Sequence, residues 1–212
     1  MEFQQNTLHQ YLPEWEGENF EVIHVHRNEE QVRMDKIRAL FSGSYEYAYQ
    51  QPGTITVLRD KKGNIIMSDS GMEWNTNREF VRRANGNVLI AGLGLGWIVM
   101  VIQDKPEVDY ITVVEKEKEI IEYCKSHWDF YDKVHIACSD IFAYNPDGRK
   151  WDTIYFDIWS EVTADNHEQM KTLHRRFGRK VNRINPNCFI SSWRKHDVYR
   201  MAAEERNSNF YY

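Results

Sequence analysis

Val88-Leu89-Ile90-Ala91-Gly92-Leu93-Gly94-Leu95-Gly96 is the stretch that decides the fold. Four apolar residues run straight into three glycines at alternate positions, and an apolar segment, 97–103, follows. This reads as a buried strand, a tight turn and a buried helix. Glycines allow a sharp bend and a close approach of the backbone to another group. The helix after them would turn its positive N-terminus toward the bend. A plainer reading is that the glycines only relieve a strand-to-helix turn. The whole apolar run, 88–102, falls short of the roughly 20 residues a membrane span needs.

Outward from this stretch, apolar runs of strand length alternate with longer amphipathic segments. The expected strands are 88–91, 110–114, 134–137, 153–156 and 188–191. The expected helices are 97–103, 117–128, 166–181 and 195–206. Ile120, Ile121, Cys124 and Trp128 share one helical face, and Met170, Leu173, Phe177 and Val181 share another. Asp165 with Glu168 has the layout of an N-cap and its reciprocal partner. Such alternation implies an α/β fold: a Rossmann-like, doubly wound, mostly parallel sheet with helices on both faces. Nearly unbroken Val/Ile/Leu strands fit burial on both sides. Toward the N-terminus the pattern differs. Residues 1–19 read as a loose arm, 20–26 as a strand and 29–41 as a helix. Residues 54–58 and 65–68 flank a polar turn and read as a hairpin. Residues 68–77 read as a loop and 77–84 as a helix. The expected organisation is an arm and small β-hairpin region, 1–76, before a Rossmann-like domain, 77–212.

Three acids follow three successive strands. Glu115 ends the strand after the glycines, where a carboxylate can take two ribose hydroxyls, and Lys116 follows it. Asp140-Ile141 comes after the third strand; such an acid can bond an adenine amino group while the apolar residue covers the ring. Asp157, with Trp159 beyond it, ends the fourth strand. Ligands collect at that carboxyl edge in open parallel sheets. Singly, each acid is as easily a helix cap or a solvated loop residue. A dinucleotide motif would need glycine at position 97, where Trp97 stands. The ligand expected is therefore a mononucleoside without phosphates.

Composition narrows the classes. Twenty-seven Lys plus Arg against 32 Asp plus Glu give a net charge of −5, which disfavours a general nucleic-acid coat or a membrane-surface binder. Cys124, Cys138 and Cys188 form no CxxC pair, so neither a zinc knuckle nor a disulfide framework is expected. They fit a reducing, cytoplasmic setting, and 1–19 carries no signal-peptide pattern. His24 and His26 share one strand face without a third ligand, and no metal site is expected. Lys171, Arg175 and Arg179, with Arg176, Lys180 and Arg183 beside them, make a basic stripe. The stripe reads first as a solvated helix face and only weakly as a nucleic-acid surface. A small-molecule acceptor is the expected partner, with a homo-oligomer as an option.

These residues resemble the class I S-adenosylmethionine-dependent methyltransferases, and more closely their spermidine-synthase-like branch, over roughly 65–193. The most specific pieces are Met67-Ser68-Asp69-Ser70-Gly71-Met72-Glu73, leading through Asn77-Arg78 to the glycine turn, and Phe156-Asp157-Ile158-Trp159. The resemblance implies that Gly92, Leu93, Gly94 and Gly96 cradle the methionine end of S-adenosylmethionine. By the same resemblance Glu115 binds the ribose, Asp140 and Ile141 the adenine, and Asp157 sits beside the amino acid and the sulfonium. The chain departs from aminopropyltransferases at Leu95 and Ser160, where they carry acids, although Glu161 stands near the second. The final antiparallel hairpin of the methyltransferase sheet is also missing. Asp157, Asp69 and Glu73, in that order, are the candidate bases. Met72, Trp74 and Trp159 are candidate stacking residues, with ordinary packing the plainer role. The implied activity is in-line methyl transfer, with aminopropyl transfer or cofactor binding without turnover as alternatives.

Overall fold

A computed structural model describes residues 2–42 and 49–208 of the 212-residue chain. In chain order the elements are β1 Trp15–Glu16, β2 Phe20–Arg27, α1 Glu29–Ser42, β3 Gly53–Asp60, β4 Ile65–Ser68, α2 Gly71–Arg83, β5 Gly86–Ala91 and α3 Trp97–Gln103. They continue with β6 Val108–Glu115, α4 Lys118–His127, β7 Val134–Cys138, β8 Thr153–Phe156, α5 Asn166–Phe177, β9 Phe189–Ser192 and α6 Lys195–Ser208.

These elements divide into two compact units. One holds the described residues through Val81 together with Gly94–Asp104 and Lys118–Phe130; the other holds Arg82–Leu93, Lys105–Glu117 and the chain from Tyr131 onward. The second unit contains a five-stranded, wholly parallel sheet in the order β7-β6-β5-β8-β9. Winding runs outward from β5 to β6 and β7, then restarts on the other side of β5 with β8 and β9. This reversal makes the sheet doubly wound, since right-handed crossovers in the two directions fall on opposite faces. All five expected strands are present.

The core of this unit explains why the pattern was readable. Leu89, Ala91, Ile154 and Phe156 meet Leu173, Phe177 and Val181 from the α5 region in one buried cluster with Trp151. The α5 residues recur at helical spacing, so one face of α5 covers the strands. The Phe156 and Phe177 rings pack edge to face at 5.5 Å. A fully buried side chain of this size contributes about 1.5–3 kcal/mol. The Asp165 cap does not form: Asp165 has helical backbone angles and no capping bond, and Glu168 turns to Lys171 and His167 instead. The regular helix ends at Phe177, a turn earlier than the apolar spacing predicted, and a short 3-10 turn carries the chain to Val181. No antiparallel hairpin closes the sheet among the described residues.

The first unit carries a four-stranded antiparallel sheet, β1-β2-β3-β4, larger than the expected hairpin. β2 pairs with β3 along its full length, from Phe20 opposite Asp60 to Arg27 opposite Gly53. Asp60 shapes the β3–β4 turn by accepting N–H bonds from Lys62 and Asn64. Residues 71–77, read as loop, are instead the first half of α2. Glu73, Asn77, Phe80 and Val81 lie on its buried face, and the polar members at the start hid that spacing.

The arm is not loose. Asp69, fully buried, accepts the Leu8 and Thr56 N–H groups at 2.8 and 2.7 Å. Phe3 accepts the Trp74 indole N–H on its carbonyl and packs its ring 4.6 Å from Trp97. The Tyr123 hydroxyl donates to the Pro13 carbonyl, and Glu119 accepts the N–H groups of Glu18 and Asn19. Polarity alone suggested looseness, because these partners lie 61 to 110 positions away. No described helix is long and apolar enough to cross a membrane.

Candidate functional site

The strand register builds the site in the second unit. Ala91 pairs with Val114 on one side and with Phe156 on the other. One residue further, Gly92, Glu115 and Asp157 stand in a row across β5, β6 and β8 at the carboxyl edge of the sheet. This is where the winding reverses, the point at which ligands collect in open parallel sheets. The Gly92 N–H donates to the Val114 carbonyl, and the Asp157 N–H to the Ala91 carbonyl, so ladder bonding continues one residue past the strands.

Gly92 has φ +97°, and a methyl group there would collide with the Asp157 carbonyl oxygen. Only glycine lets these two chain segments close. The side chain of Glu115 is buried, and each of its oxygens holds one backbone N–H. Oε2 accepts from Leu93 at 2.8 Å and Oε1 from Glu117 at 2.9 Å. A carboxylate oxygen has two lone pairs, so each retains an acceptor position. Leu93 is buried, whereas the Lys116 ammonium is exposed and lies 3.4 Å from Glu117.

Asp157 is a half-buried residue whose carboxyl is lifted by burial to about 7. Loss of solvation disfavours the charged form. Trp159, two residues on, donates its indole N–H to Gln169 and packs against the α5 core. That is the packing role weighed against stacking.

Asp140 stands exposed on the turn after β7, and its Oδ1 accepts the Phe142 N–H at 2.8 Å. Ile141 differs from expectation. It is 3% exposed and belongs to the core cluster with Leu173 and Phe177, so it presents no face at the surface. The apolar side chain of this turn that does is Phe142, at 39% exposure. Sequence reading passed over Phe142 because the residue after the acid was the nearer apolar candidate. His174 and Ser192 were also passed over. They bond at 2.8 Å between α5 and the end of β9, and burial with the Lys195 charge holds the imidazole down to about 4.

The other expected residues lie in the first unit. Gly94 and Gly96 have φ +53° and +76°, and each is approached by the chain itself. Met67 covers Gly94, and the Trp128 ring covers Gly96. The Leu95 N–H meets the Met67 sulfur at 2.9 Å, and the Trp128 indole N–H donates to the Leu95 carbonyl. Leu95 itself is fully buried. Asp69 is engaged in holding the arm to β3, and desolvation raises its pKa. Glu73 is buried in the first turn of α2 and accepts the Asn77 amide.

No protein-family model matches the chain, and no curated protein is detectably similar. Solved structures are similar only distantly. Human methyltransferase-like protein 13 in complex with SAH aligns over 62% of this chain and 66% of its own, at 17% identity and a TM-score of 0.44. The N-methyltransferase NodS from Bradyrhizobium japonicum aligns over 62% and 81%, at 18% identity and a TM-score of 0.44. The plantazolicin methyltransferase BpumL in complex with SAH aligns over 39% of this chain at 18% identity and a TM-score of 0.31. That match spans 30% of the BpumL chain, less than a third of its length.

Proposed function

We propose that this chain binds S-adenosylmethionine at the carboxyl edge of the parallel sheet and transfers its methyl group to a small-molecule acceptor. One observation carries the reading. Glu115, Gly92 and Asp157 share a row at the point where the winding reverses, and Glu115 is fixed to the glycine turn through Leu93. The residues fit an adenosyl ligand by their donor chemistry. Glu115 keeps an acceptor position on each oxygen, suited to a ribose diol. Asp140 is exposed and acidic, suited to an exocyclic amine, and Phe142 beside it offers an aromatic surface.

When bound, S-adenosylmethionine supplies a methyl group on a cationic sulfur and leaves as a neutral thioether. The protein's part is then position and proton handling. Glu115 and Asp140 hold the two ends of the nucleoside. Asp157, titrating near neutrality, takes the acceptor's proton on a carboxylate oxygen. Asp69 fixes the arm to β3, and Glu73 bonds Asn77 within α2. A small acceptor is favoured over nucleic acid because the basic stripe is partly spent internally: Lys171 pairs with Glu168. The spermidine-synthase-like branch is supported by the antiparallel sheet that precedes the parallel one. Buried Leu95 in place of an acid favours methyl over aminopropyl transfer.

Calorimetric titration of the whole chain with S-adenosylhomocysteine tests the reading. Binding is expected, and Glu115→Ala should weaken it about 10- to 100-fold, the worth of hydrogen bonds to a charged group. No heat of binding at millimolar ligand, or full affinity in the variant, would overturn it.

A further inference from the structure

Arg176 belongs to the basic stripe, yet it does not face solvent as a free cation. From α5 its guanidinium reaches the turn after β7 and donates to three backbone carbonyls of that turn. Nη1 donates to the carbonyls of Ile141, at 3.1 Å, and Phe142, at 2.5 Å, and Nη2 donates to the Tyr144 carbonyl. The guanidinium carbon also lies 5.2 Å from the Phe177 ring, which is itself fixed in the core.

The turn's own bonding leaves room for such a partner. Its inner polar groups are closed by Asp140, whose carbonyl accepts the N–H groups of Ala143 and Tyr144 while Oδ1 accepts that of Phe142. That closure leaves the carbonyls of 141, 142 and 144 for a donor from outside the turn. The fork's two terminal nitrogens reach three carbonyls from two separate points, a spread that the single nitrogen of an ammonium lacks.

Resting on the cofactor reading above, we propose that Arg176 is the positioning residue for nucleobase selection: it locks the 140–144 turn so that Asp140 and Phe142 are presented in one orientation at the site. Arg176 touches no ligand itself. Its effect is transmitted through the backbone of the turn, and it falls on the base rather than on the ribose or amino acid end.

The test compares two ligands that differ only at the base: S-adenosylhomocysteine, and its deaminated form, S-inosylhomocysteine, which carries oxygen in place of the exocyclic amine. The intact protein should prefer the adenine form by about tenfold or more, as expected when a site built for an N–H donor meets a ligand lacking it. In Arg176→Lys, which keeps the charge and loses the fork, that preference should fall to within about twofold while the inosyl affinity changes little. A purely structural role would lower both affinities together and keep their ratio; that result, or an unchanged ratio at unchanged affinity, overturns the proposal. If the intact protein binds neither ligand, the cofactor reading fails first and takes this one with it. Should the lysine variant not fold, Arg176→Gln, which keeps an amide donor, gives the same comparison.

Discussion

Substituting alanine at Gly92 separates two costs that the structure makes distinct. The backbone there has φ +97°, a conformation a side chain adopts only at a penalty of about 1–2 kcal/mol. The added methyl group also collides with the Asp157 carbonyl, a backbone atom that cannot rotate away. Forcing the β5 and β8 ends apart costs about 1–3 kcal/mol, as overpacking does. The stiffer unfolded chain offsets about 0.4–1 kcal/mol. The net loss is about 1–4.6 kcal/mol, a fall in Tm of about 2–18 °C for a chain of this length. Gly148→Ala is the matched control. It has φ +79°, but nothing lies within 4 Å of the new methyl, so only the conformational cost applies. Thermal and urea unfolding of both variants, followed by far-ultraviolet circular dichroism, reads the difference. If Gly92→Ala proves no more destabilising than Gly148→Ala, the close approach of Asp157 to the glycine is wrong, and the row of Gly92, Glu115 and Asp157 with it.

Other predictions concern the buried ionisable groups. Asp157 binds a proton in the folded state that the unfolded chain has already released, between its ordinary value of 3.8 and about 7. Its contribution therefore stabilises at low pH and is lost as pH rises through 7. His174 behaves in the opposite sense: the unfolded chain takes up a proton below 6.5 that the folded state refuses until about 4, so stability falls as pH drops across that window. Between about pH 4 and 6.5 the two slopes oppose. Relative to the parent, Asp157→Asn should make the urea midpoint rise more steeply with pH, and His174→Gln should make it fall; parallel profiles in both variants would contradict the assignment. Asp69→Ala strips two buried backbone N–H groups of their acceptor and should cost about 2–4 kcal/mol. Limited proteolysis should then cut within the first 16 residues, and an arm as resistant as in the parent would refute the clamp.

The parallel sheet was legible because burial on both faces leaves its strands nearly pure in Val, Ile and Leu. Residues 88–91 and 153–156 needed no partner information to be recognised. The row of acids was legible for a related reason: a carboxylate directly after such a strand stands out against the apolar run. What failed was local detail set by distant partners. Residues 71–77 looked like loop because Glu73 and Asn77 are polar, yet they are buried and bonded to one another. Ile141, read as a cover for an adenine ring, packs into the α5 core, whose residues lie far along the chain. Glycine spacing marked the bend correctly but not its occupants, since Asp157, Met67 and Trp128 arrive there from remote parts of the chain.

The N-terminal strap has a consequence for the order of assembly. Its anchor points on Trp97 and Tyr123 are made by the ribosome about a hundred residues after Phe3 and Pro13. The strap cannot settle until that later polypeptide exists, so its contacts form well after its own residues are made. Closing so wide a loop slows folding more than it weakens the product, because the entropic cost of closure grows only slowly with loop length. The arm therefore finds its place only with partners made later.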